Sequence, residues 1–380
     1  MKKAYLSPLF FLLAFLMACT DPLENALDTP SAEAAQKAVS PEDCSSSTTP
    51  GSILLGVYYG NQGWAMSDVA AMESWQNKKN AVINLFTNWC NRSKTIDDLF
   101  KLQLMHIWNN KNVPLITWEP NTCSGTPTDI EARIARGEHD AYIHTWSNRL
   151  KGSLSGPDGV YGNADDRRVY LRLGHEMNGN WYAWSAAVGN NSPEDYKAMW
   201  KHVKGIFDGK GLDPAHVQWV WCVNHTDNGG FTAEQYYPGD GFVDWVAIDG
   251  YNWGTSQSWS SWATPSQTFD PMLGRLRNLT SKPVALTEFA STTSNLGVSG
   301  KSTWIRDVFR YVESNNIKMV TWFNEDKETD WAIFGGVNGD ETIKRKKAYS
   351  AYRTAIGSSR YLSSDPANAR LLSDCLFKGQ

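Results

Sequence analysis

The chain has no apolar run long enough to cross a membrane. The run at residues 9–17 is about half of the ~20 residues a spanning helix requires. It has no excess of either charge, with 36 Lys and Arg against 40 Asp and Glu, so a basic nucleic-acid groove or membrane patch is excluded. It has no glycine-rich phosphate loop, because Gly60-Asn61-Gln62-Gly63 lacks the G-x-G-x-x-G spacing. His175-Glu176 invites a zinc-protease reading, but H-E-x-x-H needs a second histidine where Gly179 stands. No G-x-S-x-G follows an apolar strand, which removes the nucleophile elbow of esterases and peptidases.

What is present begins with the N-terminus. Lys2 and Lys3 precede the short apolar run, which ends Leu16-Met17-Ala18-Cys19. This resembles a bacterial lipobox, in which Cys19 is lipidated after residues 1–18 are removed; an ordinary signal peptide cut near Ala18 is the alternative. Either reading means export, and a lipid on Cys19 is the one membrane attachment expected. Residues 19–50, rich in Ala, Ser, Thr and Pro, read as a disordered tether. Residues 51–357 are long enough for one α/β barrel, and residues 358–380 read as an extension packing on it.

Five cysteines follow Cys19 in a compartment that permits disulfides. Cys90 and Cys123 lie just past two successive predicted strands, and Cys44 and Cys375 flank the ends of the domain, so these are the candidate pairs. Cys222, inside an apolar run, is expected to be a buried free thiol. Connectivity stays open at this stage.

Short runs rich in Val, Ile and aromatics recur at 53–59, 81–88, 113–119, 169–176, 217–224, 245–252, 283–289 and 318–323. Helical stretches alternate with them, among them 95–108, 193–207 and 302–315, the second announced by Ser192-Pro193-Glu194-Asp195. Eight such alternations predict a (β/α)₈ TIM barrel in a single domain. Chemistry in that fold sits at the C-terminal strand ends. Those ends carry His175 and Glu176 on the fourth run and Glu288 on the seventh. Many of the 18 Trp, with 15 Tyr and 14 Phe beside them, fall near the same ends, as flat rings lining a sugar cleft would, with ordinary core packing as the alternative for about half of them.

The segments Arg172 to Trp181, Thr287-Glu288-Phe289, Asp244-Trp245 through Gly250-Tyr251-Asn252-Trp253, and Trp322-Phe323 together resemble glycoside hydrolase family 26, β-mannanase-like members of the retaining (β/α)₈ clan. The resemblance implies that Glu176 is the acid/base and Glu288 the nucleophile of a double displacement, one protonated and one ionised at the start. It further implies that Tyr251 and Arg172 attend Glu288 and that His175 orients the acid or contacts the sugar. Trp322 would be the floor under the sugar, with Trp181 and Trp118 lining neighbouring subsites. For Arg172 an ion pair inside the barrel is the alternative, and His225 is read as a loop histidine without a role. No cofactor and no metal are implied. The partner would be a polysaccharide, met by a monomer.

Arg172-Leu173-Gly174-His175-Glu176 departs from the Arg-Pro-Leu-His-Glu of the mannan-cleaving branch. β-1,4-mannan is the first expectation for the substrate, with mixed-linkage β-glucan and β-1,3-xylan as alternatives. A transglycosylase, and a non-catalytic glycan-binding lipoprotein on the same barrel, are the other readings. The insertion Gly156 to Asp166 has clustered acids that suit either a calcium ion or a solvated turn.

Overall fold

The computed structural model describes Cys44 and residues 51–380. Cys19, the signal segment and most of the proposed tether lie outside the described residues. Eight strands run in parallel: β1 (Ile53–Tyr58), β2 (Val82–Trp89), β3 (Val113–Thr122), β4 (Val169–Leu173), β5 (Val217–Asn224), β6 (Trp245–Asn252), β7 (Val284–Ser291) and β8 (Met319–Phe323). Each pairs with the next, and β8 pairs with β1, so the sheet closes into the expected TIM barrel. The strands read as continuous apolar runs because outward residues meet helices while inward ones fill the barrel.

The helix Pro193–Gly209 begins with a capping box in which Ser192 and Asp195 satisfy each other's backbone N–H groups. The stretch expected as one helix at 95–108 is interrupted by a π turn, Leu99–Gln103, between Ser93–Asp98 and Leu104–Asn109. Among the described residues, the β5–β6 connection carries only short 3₁₀ turns where the alternation predicts a helix.

The C-terminal residues close the lower end of the barrel. Tyr361–Leu362 extends the sheet beside β1. The Phe377 carbonyl accepts hydrogen bonds from Tyr170 and Trp245, both near the starts of their strands. Arg168, fully buried, donates to the Leu372 carbonyl at 2.8 Å and pairs with Asp374. Cys375 is bonded to Cys44 and Cys90 to Cys123, while Cys222 is a buried free thiol. In the 156–166 insertion, Asp166 accepts from the backbone N–H groups of Gly162 and Asn163, and Asp158 from that of Val160. Asp158 and Asp166 are therefore engaged in turn geometry.

Candidate active site

The upper interior of the barrel is polar. Asn84, Thr117, Arg172, Cys222, Asp249 and Thr287 are all buried there. Buried polar groups persist only when bonded to one another, and Arg172 on β4 supplies the bonds. Its guanidinium donates to Thr117 Oγ1 at 2.6 and 2.9 Å, to Asp249 Oδ2 at 2.6 Å and to Glu288 Oε1. Thr287 donates to the other oxygen of Asp249 at 2.8 Å.

Thr287 and Glu288 are consecutive, yet both reach Arg172. Strand alternation would send one outward. The β6–β7 register shifts here, with Leu286 opposite Ile248 and Glu288 opposite Asp249. This bulge leaves Thr287 unpaired and re-aims Glu288 into the mouth of the barrel. There its second oxygen accepts from the Tyr251 hydroxyl at 2.7 Å. Burial, then the charge of Glu288, pushes the Tyr251 hydroxyl well up, so it remains a donor.

Glu176 is not on the strand: β4 ends at Leu173 and Glu176 lies three residues on, at φ +54°. Its amide donates to the Cys222 carbonyl at 2.9 Å, tying the turn to β5. A non-glycine residue at positive φ is strained, and such strain concentrates at functional sites. Gly174 makes this turn with φ +51°, and an added Cβ would stand 3.3 Å from the Tyr196 ring. The departure at Gly174 is therefore a backbone requirement of the turn that carries Glu176. Gly179 serves the same loop, since a Cβ there would meet the Trp181 indole at 2.6 Å. The indole lies across that glycine and donates to Glu176 Oε2 at 3.0 Å.

Burial, then the charges of Asp249 and Glu288, raises the Glu176 carboxyl well above the usual carboxylate range, against the opposing Trp181 bond. His175 is buried with Nε2 4.0 Å from Glu288 and its ring 4.9 Å from that of Tyr182. Burial and then Arg172 hold its pKa well down, so it is neutral. Each of His175, Asp249 and Glu288 offers a ligand atom within 4.8 Å of the others. Arg172 already bridges the two carboxylates, so a metal ion would compete with a fixed cation.

Above these groups is a cavity of about 820 Å³ lined by Glu176, Glu288, Trp181, Tyr182, Tyr251 and further aromatics. Two sequence expectations are corrected here. Trp322 is 0% exposed, faces outward among Phe289, Trp304 and Tyr352, and donates to the Trp331 carbonyl. It cannot floor the cleft; Phe323 and Trp331 line it instead. Trp118 is likewise 0% exposed, packed between Trp89 and Trp146. Both fail by strand parity, since their neighbours Phe323 and Glu119 point inward. Arg172 and His175 are buried beneath the cavity and do not line it; the alternative reading for Arg172, an ion pair inside the barrel, describes its position.

The lining residues given no role by the sequence include Glu119, His225, Trp253 and Trp259. Burial and the nearby Glu288 push Glu119 up to about 7. Alternation from Thr117 was the signal that could have found it. The arrangement can place a protonated carboxyl and a second, hydrogen-bonded carboxylate against one bound molecule.

A model for Glycosyl hydrolase family 26 matches residues 141–273. Over 323 residues the chain is 32% identical to Endoglucanase H of Acetivibrio thermocellus, covering 83% of this chain and 31% of that protein. Over 220 residues it is 24% identical to a mannan endo-1,4-beta-mannosidase of Bacillus subtilis, covering 53% of this chain and 59% of that one. The chain thus spans about a third of the first relative and less than two thirds of the second. A solved Bacillus subtilis mannanase aligns with TM-score 0.55 at 21% identity, covering 83% of this chain and 88% of that one. At that identity the likeness is one of fold.

Proposed function

The chain belongs to glycosyl hydrolase family 26, and from that membership we propose that it is a retaining endo-β-glycanase. The observation that carries this is the pair Glu176 and Glu288, both opening into one cavity and held in different surroundings. Glu176, kept protonated by burial, gives its proton to the departing glycosidic oxygen. Glu288 attacks the anomeric carbon and forms the glycosyl-enzyme, its oxygens oriented by Arg172 and Tyr251. Glu176, now ionised and steadied by Trp181, takes a proton from water, which displaces Glu288. Neutral His175 stands beside Glu288 and adds no competing charge.

β-1,4-mannan is the substrate we propose, supported by the mannan-cleaving relative. Mixed-linkage β-glucan is the second reading, favoured by the 32% identity to a protein named an endoglucanase. Product analysis on mannan, mixed-linkage glucan and β-1,3-xylan side by side separates them. Glu288→Ala should abolish turnover and leave polysaccharide binding largely intact; full activity in that variant would sink the assignment. Binding without turnover in the wild type would instead favour a glycan-binding lipoprotein.

From the lipobox-like Leu16-Met17-Ala18-Cys19 we propose, separately, that the enzyme lies outside the cytoplasm, anchored through a lipidated Cys19. Two disulfides support an oxidising compartment. Cys19→Ser should move activity from the membrane to the soluble fraction, and activity that stays with the membrane counts against lipidation.

A further inference from the structure

We propose that Trp259 is the platform of an outer sugar-binding subsite, reached from the cleavage site across Trp253. The inference rests on the glycanase reading and extends it to a residue that takes no part in bond cleavage. Trp259 is 70% exposed, the highest value among the large exposed hydrophobic side chains of the described residues. A free indole face in water forfeits burial that a folded chain ordinarily gains. Here the exposed ring borders the cavity that holds Glu176 and Glu288.

The rings leading to it form a path. Tyr251, which bonds Glu288, has its ring centroid 6.2 Å from that of Trp253, and Trp253 lies 5.3 Å from Trp259. Trp331 braces the path, 5.0 Å from Tyr251 and 4.7 Å from Trp253. Trp259 is therefore two ring contacts out from the residue that holds the nucleophile.

The loop presenting it is built, not loose. Asn252 Oδ1 accepts from the amides of Gly254 at 3.2 Å and Ala263 at 2.9 Å, pinning both ends. Ser260 donates to the Gly254 carbonyl at 2.8 Å, and the Thr255 amide donates to Ser294 at 2.6 Å. A pinned loop holding an indole in solvent suits a ligand with one apolar face and hydroxyls around its rim. Among polysaccharide units, a pyranose ring has that form. The cost of ordering such a ligand is lowest when the ring is already fixed.

The test compares wild type, Trp259→Ala and Trp259→Phe, with Trp64→Ala as control; Trp64 is 48% exposed and does not line the cavity. Affinity electrophoresis in soluble β-1,4-galactomannan and in mixed-linkage β-glucan reads binding without catalysis. KM on the polysaccharide and turnover of a short aryl β-glycoside read the subsite. Trp259→Ala should lose most of the retardation and raise the polysaccharide KM about tenfold, a ratio equivalent to about 1.4 kcal/mol. Aryl-glycoside turnover should be unchanged, and Trp259→Phe should restore much of the binding. Equal retardation of wild type and Trp259→Ala, or no retardation of either, overturns the subsite. So does equal loss on both substrate lengths, which would mark a structural role. A wild type that is retarded through Trp259 yet cuts nothing keeps the subsite and refutes the hydrolase.

Discussion

Arg172→Met tests how far the barrel depends on the charge at its centre. The guanidinium is fully buried and bonds Asp249, Glu288 and Thr117. Methionine keeps much of the side chain's length and removes every N–H donor, so two buried carboxyls lose their cation. Breaking a buried ion network on one side costs about 3–5 kcal/mol. For a domain of this size this is a fall in Tm of roughly 4–7 °C.

The deficit carries a pH signature. Burial pushes Asp249 up to about 7, while Arg172 opposes the rise and Glu288 adds to it. Without Arg172 that carboxyl moves further up. An acid raised in the folded state stabilises the fold fully below its unfolded pKa, near 4, and loses that contribution as pH climbs through the folded value. Both proteins lose stability alike from about pH 4 to about 7. Above about 7 the wild type has finished titrating this group and the variant has not, so the gap widens by up to about 1.4 kcal/mol per pH unit. Urea unfolding at pH 6, 7 and 8.5 reads both features. A deficit under about 1 kcal/mol at pH 7, or one that narrows from pH 7 to 8.5, would refute the reasoning.

Trp181→Phe removes the donor that favours the charged form of Glu176. The acid must be protonated to act, so the alkaline limb of kcat/KM should move to higher pH. A limb that stays or falls rejects that bond as a tuning element. Gly174→Ala puts a side chain at φ +51° and 3.3 Å from Tyr196. It should cost about 1–2 kcal/mol in thermal stability and lower kcat by displacing Glu176, and an unchanged enzyme on both counts would show that the turn tolerates a Cβ.

The periodic apolar runs determine the barrel, because a strand covered on both faces must be apolar throughout and eight of them can close. β5 and β6 were legible to the residue at both ends, and both candidate carboxylates lay at or beside the end of an apolar run, as Glu119 also did. The same continuity hid the parity of each strand. Trp118 and Trp322 read as cleft residues because tryptophan near a strand end looks the same facing in or out, and only the closed sheet turned them toward the helices. Glu119 and Phe323 took the inward places one residue on. Nor does periodicity announce a bulge, so the joint inward aim of Thr287 and Glu288 was decided by the β6–β7 register. Glu176 depends on two left-handed residues, of which Gly174 alone was visible as a glycine. Trp253, Trp259 and Trp331 come from irregular loops, whose paths are set by hydrogen bonds such as those of Asn252 and not by any repeat in the chain. Residue type and order determined which acids were present and where along the strands they stood. Closure of the barrel, one bulge and one strained turn decided which groups surround them, because side-chain direction is a property of paired strands and folded loops.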